Sequence, residues 1–585
     1  MPIKRFLITR KILLFTVLVG IVSGLSAIVF YVLLDFFKWL FLEVLAGYKT
    51  PSAPGEVSLM DVFGFEFLGF GWSWVIALVP AIGGLISGFL VYRYAPEAEG
   101  HGTDAVIHAV HSLKGFMRGR VAAVKTFASA VTIGSGGSAG REGPIAQISS
   151  SVISVLARKF NLTEKEREIM VLVAAAAGIG SIFKSPIGGA LFGVEVPYKK
   201  DYEADVFVPA LIASFIGYTI FCLFAGWRPI FRTPPYTFSP YELPLFALLG
   251  LICGILARLY VETFYAVRNI FRRMRIKNYY KPAIGGSLVG LVGLIFPQVL
   301  SSGYGWVQIA IYGKLAIELM IILIFMKILA TSLTIGSGGS GGVFAPSVVI
   351  GAMIGGSIGL IFSQLFPNVV CDAGVFVIIG MASFFAGAAK VPLTAIIIIA
   401  EMTGDYNLLP AAILASMISY VVSGECSIYE SQLEYREESP IHLPEIIDSA
   451  LERILVKEIA SPDFIAIKHG ENLKNVYRTL TGKGAVVAPV VDEEGSYKGV
   501  VSVYDILRVP EDKWGSLKVS EIVDAEQFEQ FFVTLDDSLK KAISLMLEKR
   551  IPRVPVVKID EEGKKKVIGC IKHEDIIKAL YYKTK

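Results

Sequence analysis

Two short stretches of this chain carry the clearest chemical capacity: GSGGSAGREGP at Gly134–Pro144 and GSGGSGGVFAP at Gly336–Pro346. A glycine-rich bend that opens a helix presents unpaired backbone N–H groups at the positive end of the helix dipole, an anion site that needs no formal charge. Partial charges suit passage, because a lysine in direct contact would hold an anion too tightly to release it. Glu142 stands within the first stretch. A carboxylate in an apolar, glycine-rich break is costly to leave unpaired and is a functional candidate by default. Beside an anion site it would occupy that site when ionised and vacate it when protonated, which makes it a pH-sensitive gate. Arg141 reads as its structural or electrostatic partner. Lys125, Lys184, Lys327 and Lys390 bias the region toward anions, or each pairs with a helix C-terminus. Neither stretch ends in the Gly-Lys-Ser/Thr of a P-loop, so nucleotide hydrolysis is not read here. Close helix packing explains part of the glycine content but not the repeated Arg-Glu-Gly-Pro and Val-Phe-Ala-Pro endings.

The elements that position these residues come in duplicate. The two glycine-rich stretches lie 202 residues apart, and Lys125 and Lys327 each stand nine residues before the GSGG. Downstream, KSPIGGALFGVE and KVPLTAIIIIAE align Pro186 with Pro392 and Glu195 with Glu401. Paired, interrupted apolar segments in two halves mark a transporter-type fold whose site lies at the midplane between repeats, and inverted repeats are expected. Composition agrees. Of 585 residues, 54% are hydrophobic and only 18% charged, below the roughly 25% charged of soluble proteins, with a mean hydropathy of +0.60.

The basic start, Lys4, Arg5, Arg10 and Lys11, precedes an apolar run from Ile12 to Leu34 that is long enough to span a bilayer and reads as a retained first helix with a cytoplasmic N-terminus. Further apolar stretches lie near 73–92, 121–135, 144–157, 167–183, 186–197, 205–226, 243–260, 282–300, 308–335, 345–366, 373–389 and 391–423. Several fall short of the ~20 residues a span requires, implying half-spanning helices shielded by protein or a polar cavity. The basic segment Arg268–Lys281 reads as a cytoplasmic loop under the positive-inside rule, not as a nucleic-acid surface. Five scattered cysteines give no disulfide framework. His101, His108 and His111 lack an acidic ligand cluster, so no metal site is read.

From about residue 455 the composition is that of a soluble α/β unit, also in two copies: VKEI at Val456–Ile459 parallels VSEI at Val519–Ile522, and VVDEEGSYKGVVSVYDIL parallels VVKIDEEGKKKVIGCIKHEDII. Each copy reads as strand, helix, strand, turn, strand, helix.

Taken in order, GREGP, GGVFAP, KSPIGGALFGVE, AEMTGDYNLLP and SIYESQL resemble the CLC family of chloride channels and anion/proton antiporters, over residues 12 to 435. The tail resembles tandem CBS modules. The resemblance implies a polytopic α-helical membrane protein of two inverted repeats with broken helices, followed by an α/β CBS pair. The expected domains are a transmembrane unit, 1–435 (repeats about 12–230 and 240–430), a linker, 436–454, and the CBS pair, 455–585 (copies about 455–510 and 518–582). It further implies a homodimer in the cell membrane with cytoplasmic CBS domains, and chloride as the transported ion. Carried over by position, Glu142 is the gate, backbone amides around Glu142–Gly143 and Val343–Phe344–Ala345 line the anion sites, and Tyr429 supplies an inner phenol hydroxyl.

Two departures bear on mechanism. The family's GSGIP-type segment appears as GHGTD, putting His101 where a serine hydroxyl meets the anion. An imidazole either donates to the anion or points away. Secondly, Val196 occupies the position of the antiporters' inner proton-relay glutamate. Valine carries no proton, so the expectation is passive chloride conduction gated by Glu142, with proton-coupled exchange as the alternative. A CBS-regulated cation transporter lacks its carboxylate ligands, and no nucleophile–base pair supports an enzyme. In the tail, Ser502 and Asp505 fit the motif that holds a nucleotide ribose, and Asp575 is retained in the second copy, although Lys572 replaces its hydroxyl residue. Adenine nucleotide (ATP, ADP or AMP) is the implied ligand, and helix capping is the competing role.

Overall fold

Where the apolar stretches end in Gly, Ser and Pro, helices end too. A computed structural model describes residues 10–62, 73–523 and 530–583; Lys4 and Arg5 lie outside the described residues. The chain divides into two units, Met1–Ile441 and His442–Lys585.

The helices of eight or more residues described in the first unit fall into two matching series. The first is α1 (Arg10–Lys38), α2 (Val79–Tyr94), α3 (Thr103–Leu113), α4 (Gly119–Gly134), α5 (Glu142–Lys159), α6 (Glu164–Ile182), α7 (Pro186–Glu195) and α8 (Phe207–Ala225). The second is α9 (Leu243–Arg273), α10 (Lys281–Ile295), α11 (Tyr304–Ile311), α12 (Ile317–Gly336), α13 (Phe344–Leu365), α14 (Ala373–Ala389), α15 (Pro392–Thr403) and α16 (Leu409–Val422). The apolar runs 308–335 and 391–423 are each two helices, broken at 312–316 and 404–408. In the second run the break falls at Gly404, whose φ of 70° closes α15.

Packing fixes how the halves relate. A side chain at Gly84 would strike Pro282 and one at Gly88 would strike Tyr279, while Gly286 faces Pro80 and Gly290 faces Ala77. Partner numbers fall as residue numbers rise, so the equivalent helices α2 and α10 run antiparallel. The loops before α5 and α13 meet in an antiparallel bridge, with Gly140 N–H donating to the Gly342 carbonyl at 2.7 Å and Gly342 N–H to Gly140 at 2.6 Å. These exchanges have two-fold symmetry about an axis across the helices: the repeats are inverted. Elsewhere the halves pack alike. Gly20 and Gly24 of α1 meet α8 at Ala213 and Gly217, while Gly250 and Gly254 of α9 meet α16 at Ala415 and Ser419, small residues letting backbones approach.

Buried charge obeys the same symmetry. Glu195 closes α7 and accepts from the Leu393 and Thr394 amides at the start of α15, at 3.1 and 2.8 Å. Glu401 near the end of α15 accepts from Ile187 and Gly188 at the start of α7, at 3.2 and 2.8 Å, and from the Ser185 hydroxyl at 2.5 Å. Each carboxylate satisfies orphan donors at the positive end of the other repeat's helix. The lysines serve the opposite ends. Lys125 Nζ donates to the Ala98 and Gly100 carbonyls and Lys327 Nζ to those of Val299 and Ser301. Lys184 and Lys390 likewise donate to carbonyls, Ala225 and Tyr420 among them. All four lysines therefore hold backbone oxygens, and for Lys184 and Lys390 these include carbonyls in the last turn of a helix.

In the second unit, the stretch expected as a linker is partly ordered: α17 (Leu443–Arg453) is a helix whose Asp448 and Glu452 both take Lys540 at 2.9 Å. Leu451, with Ile454 just after the helix, packs into the second core. The first copy comprises β1 (Ile467–Lys468), α18 (Leu473–Gly482), β2 (Val487–Val491), β3 (Tyr497–Ser502) and α19 (Val503–Leu507), with β1 parallel and β3 antiparallel to β2. The second comprises α20 (Leu539–Lys549), β4 (Arg553–Ile559), β5 (Lys565–Lys572) and α21 (His573–Lys583). Its expected first strand is reduced, among the described residues, to a bridge between Val533 and Val556.

Replacing Glu195 or Glu401 by alanine strips two buried helix-start amides of their acceptor, at about 1–3 kcal/mol for a buried donor left unpaired. Each variant is expected to show a lower midpoint of thermal unfolding in detergent than the wild type, read by size-exclusion or tryptophan fluorescence.

Candidate functional site

Three helix N-termini converge where the repeats meet. The α5 start brings Glu142, the α13 start brings Phe344, and the α3 start closes in beneath them. A side chain on Gly143 would run into the His101 carbonyl, and one on Gly102 into the Gly143 carbonyl. Such contact is open only to glycine, and at Gly102 a φ of 85° adds a second reason. The loops are clamped by hydroxyls: Ser129 to Ser340 at 2.9 Å, Ser138 to Thr331 at 2.9 Å, and Ser138 N–H to Thr334 Oγ1 at 3.0 Å.

Glu142 is 1% exposed, and its Oε1 accepts from the Phe344 backbone N–H. The carboxylate lies against Gly140 and Gly342, where even a methyl group would collide with it. Phe344 is the residue of the second repeat that aligns with Glu142. One half thus contributes the carboxylate and the other contributes the amide that receives it. The Phe344 ring is held between Phe183 and Phe385, with centroids at 4.9 and 4.6 Å. Val343, the N-cap residue, and Ala345 flank it, both buried.

Tyr429 is fully buried in the segment after α16, 5.4 Å from the His101 ring. Among the described residues, no group in hydrogen-bond geometry meets its hydroxyl, nor Glu142 Oε2. Buried polar atoms are normally partnered, and an unpartnered hydroxyl donor beside helix N-termini suits an anion. The segment is tied to α3 by Asp104, which takes the Ser431 N–H at 2.7 Å and the Ser431 hydroxyl at 2.9 Å. Gln432 donates to the carbonyls of Val196 and Ala389. Sequence reasoning treated Asp104 only as a departure from pattern; its partner lies far along the chain.

His101 differs from an exposed imidazole ligand. Its Nδ1 accepts from the Asp104 N–H at 3.4 Å, capping α3, and its ring packs on Tyr429 and Phe264. With Nδ1 accepting, the proton of the neutral ring sits on Nε2. A cavity of about 660 Å³, lined by Glu99, His101, Asp104, Arg268, Arg272 and Glu430, reaches this end of the site. It opens on the face that carries the basic segment, where Arg268 and Glu430 pair at 2.7 Å.

Residues 83–424, more than half of the chain, match the family model described as voltage gated chloride channel. The chain belongs to this family, the CLC proteins. Two CBS domains match at 456–512 and 522–582. Among curated relatives, an uncharacterized protein of Methanocaldococcus jannaschii is 29% identical over 69% of this chain and 91% of its own length. The H(+)/Cl(-) exchange transporter ClcA of Cronobacter sakazakii is 30% identical over 59% of this chain and 75% of its own. Solved structures share the fold: a slow cyanobacterial Cl-/H+ antiporter at TM-score 0.62 and 22% identity, covering 71% of this chain and 96% of that one. A eukaryotic CLC transporter has TM-score 0.57 and 19% identity, covering 96% and 97%. The chain is thus an integral membrane protein of a family of transporters and channels, consistent with six helices among the described residues long and apolar enough to cross a bilayer.

Val196 is buried directly after α7. The neighbouring carboxylates are engaged: Glu195 by the α15 amides, Glu203 by the Tyr198 hydroxyl at 3.0 Å and by Arg436 at 3.4 Å. In the CBS pair, Ser502 and Asp505 cap α19. Asp505 Oδ2 takes the Ser502 hydroxyl at 2.6 Å and its N–H at 2.9 Å, and the Asp505 N–H donates back to Ser502 Oγ at 3.1 Å. Asp575 takes the Lys572 N–H at 3.0 Å. The helix-capping role named for these residues is therefore filled.

If the Glu142 carboxylate stands where an anion would bind, Glu142→Ala should open that position. Calorimetric titration of chloride into detergent-solubilised protein is expected to show about threefold or greater tightening; unchanged binding would place the anion elsewhere.

Proposed function

We propose that this chain exchanges chloride for protons across the cell membrane, with Glu142 as the group that both displace. What carries the reading is the seat of the Glu142 carboxylate on the α13 N-terminus. A chloride ion competing for the same amide must expel the carboxylate, and a proton neutralises the carboxylate and weakens its hold. The backbone amides of Gly143, Val343, Phe344 and Ala345, with the Tyr429 hydroxyl, are the proposed anion donors, and His101 acts by shaping the α3 start. The curated relatives named as exchange transporters support coupling. One observation favours passive conduction: Val196 leaves the inner relay position without a titratable group.

The chain leaves the membrane unit beside Arg268, on the basic face. The positive-inside rule makes that face cytoplasmic and places the CBS pair there. In this reading two copies associate in the bilayer, and adenine nucleotide at the CBS pair modulates them through Asp505 and Asp575.

Purified protein in chloride-loaded liposomes decides between exchange and conduction. An outward chloride gradient is expected to drive protons inward, measured with a pH-sensitive dye, and Glu142→Ala is expected to abolish proton movement while chloride still flows. Chloride flux with no proton movement in the wild type would establish passive conduction. For the tail, ATP, ADP or AMP is expected to raise the thermal midpoint of the full chain, and Asp505→Asn to reduce that rise at least by half.

A further inference from the structure

Arg141 lies next to the gate and is 5% exposed, a position where an unpaired cation is expensive. Its partner is Glu56, from the segment between α1 and α2, at 2.9 Å from Nη1. Three aromatic faces enclose the guanidinium carbon: Tyr31 at 5.7 Å, Phe183 at 5.5 Å and Tyr304 at 5.5 Å. Nε makes no hydrogen bond. Countercharge therefore comes from Glu56, with the rings adding cation–π attraction.

Glu56 is not on a loose loop. Gly55 before it donates to the Ile230 carbonyl at 3.0 Å and accepts from Lys184 at 2.9 Å. Val57 after it accepts from the Tyr31 hydroxyl at 2.8 Å, and Leu59 N–H donates to Asp35 at 2.7 Å. The segment follows α1 and so lies on the face opposite the α1 start and the basic segment. The site thus has a cavity toward each face: the 660 Å³ cavity, lined by Glu99, Asp104 and Glu430 as well as Arg268 and Arg272, on one side, and on the other a small cavity of about 50 Å³ lined by Asp35, Lys38, Glu56 and Arg141. Phe183 touches both the Arg141 guanidinium and the Phe344 ring, whose backbone N–H holds Glu142.

We infer that Glu56 is a positioning residue for the outer threshold of the pathway. It pins and neutralises Arg141, so that the Glu142 carboxylate and a passing anion meet no fixed cation there. The inference rests on Glu142 as the gate. Without Glu56, Arg141 would pair with whichever anion is at hand, Glu142 or chloride, and slow the release of both.

The test is chloride flux in oriented proteoliposomes, varying chloride on the side of the 48–62 segment. Glu56→Gln is expected to lower the half-saturating chloride concentration about threefold to tenfold and to lower maximal flux by at least a similar factor. Glu56→Asp, which keeps the charge, should stay within about twofold of wild type. In an Arg141→Gln background, Glu56→Gln should have no further effect, and this comparison also serves if the single variant yields no folded protein. Unchanged half-saturation in Glu56→Gln, or a loss of flux that adds to that of Arg141→Gln, would overturn the proposal. Proton movement in Glu142→Gln scores the gate separately: proton coupling at the wild-type level there removes the gate reading, while the half-saturation result still judges the Glu56–Arg141 threshold.

Discussion

A helix that begins inside a membrane protein brings up to four N–H groups that water cannot reach. Much of this structure is arranged around where those donors find acceptors. At α7 and α15 the acceptors are built in: Glu195 and Glu401 reach across the repeat interface and hold the amides through two or more hydrogen bonds each. At α13 the acceptor is Glu142, whose Oε1 accepts from the Phe344 N–H while Oε2 has no partner among the described residues. The first pair are structural staples. The last differs in leaving one of its carboxylate oxygens without a partner among the described residues.

Inverted symmetry explains why the site can be both neutral and anion-seeking. The four buried lysines at matched positions of the two halves are spent on backbone oxygens. The positive ends of helices, in contrast, are turned toward the shared interface. An ion there would meet helix dipoles, while Arg141 is paired with Glu56 and Lys125 with backbone carbonyls. At the gate the symmetry is broken: the first half has a glutamate where the second has a phenylalanine. Had both been carboxylates, two like charges would have faced each other across the glycine bridge.

The α3 end shows a different solution. His101 Nδ1 accepts from the Asp104 N–H in the first turn of α3, and Asp104 fastens the Tyr429 segment through Ser431. Near Val196 the carboxylates already have partners.

How much of this was legible beforehand follows from the range of the interactions. Duplicate glycine-rich bends, lysines at matched spacing and Pro-to-Glu segments specified the broken helices and singled out Glu142, because helix ends and the cost of a buried carboxylate are local properties. The helix within the linker escaped notice, since Leu443–Arg453 is amphipathic only with respect to a core supplied by α20 and the second CBS copy. Likewise nothing near Glu56 foretells its pairing with Arg141, and nothing near Asp104 names Ser431. Sequence by itself determined which backbone amides are left unpaired, through the pattern of Gly and Pro. Only tertiary packing decided which acceptor each one meets, because those acceptors come from segments far apart in the chain that close contact between inverted halves brings together.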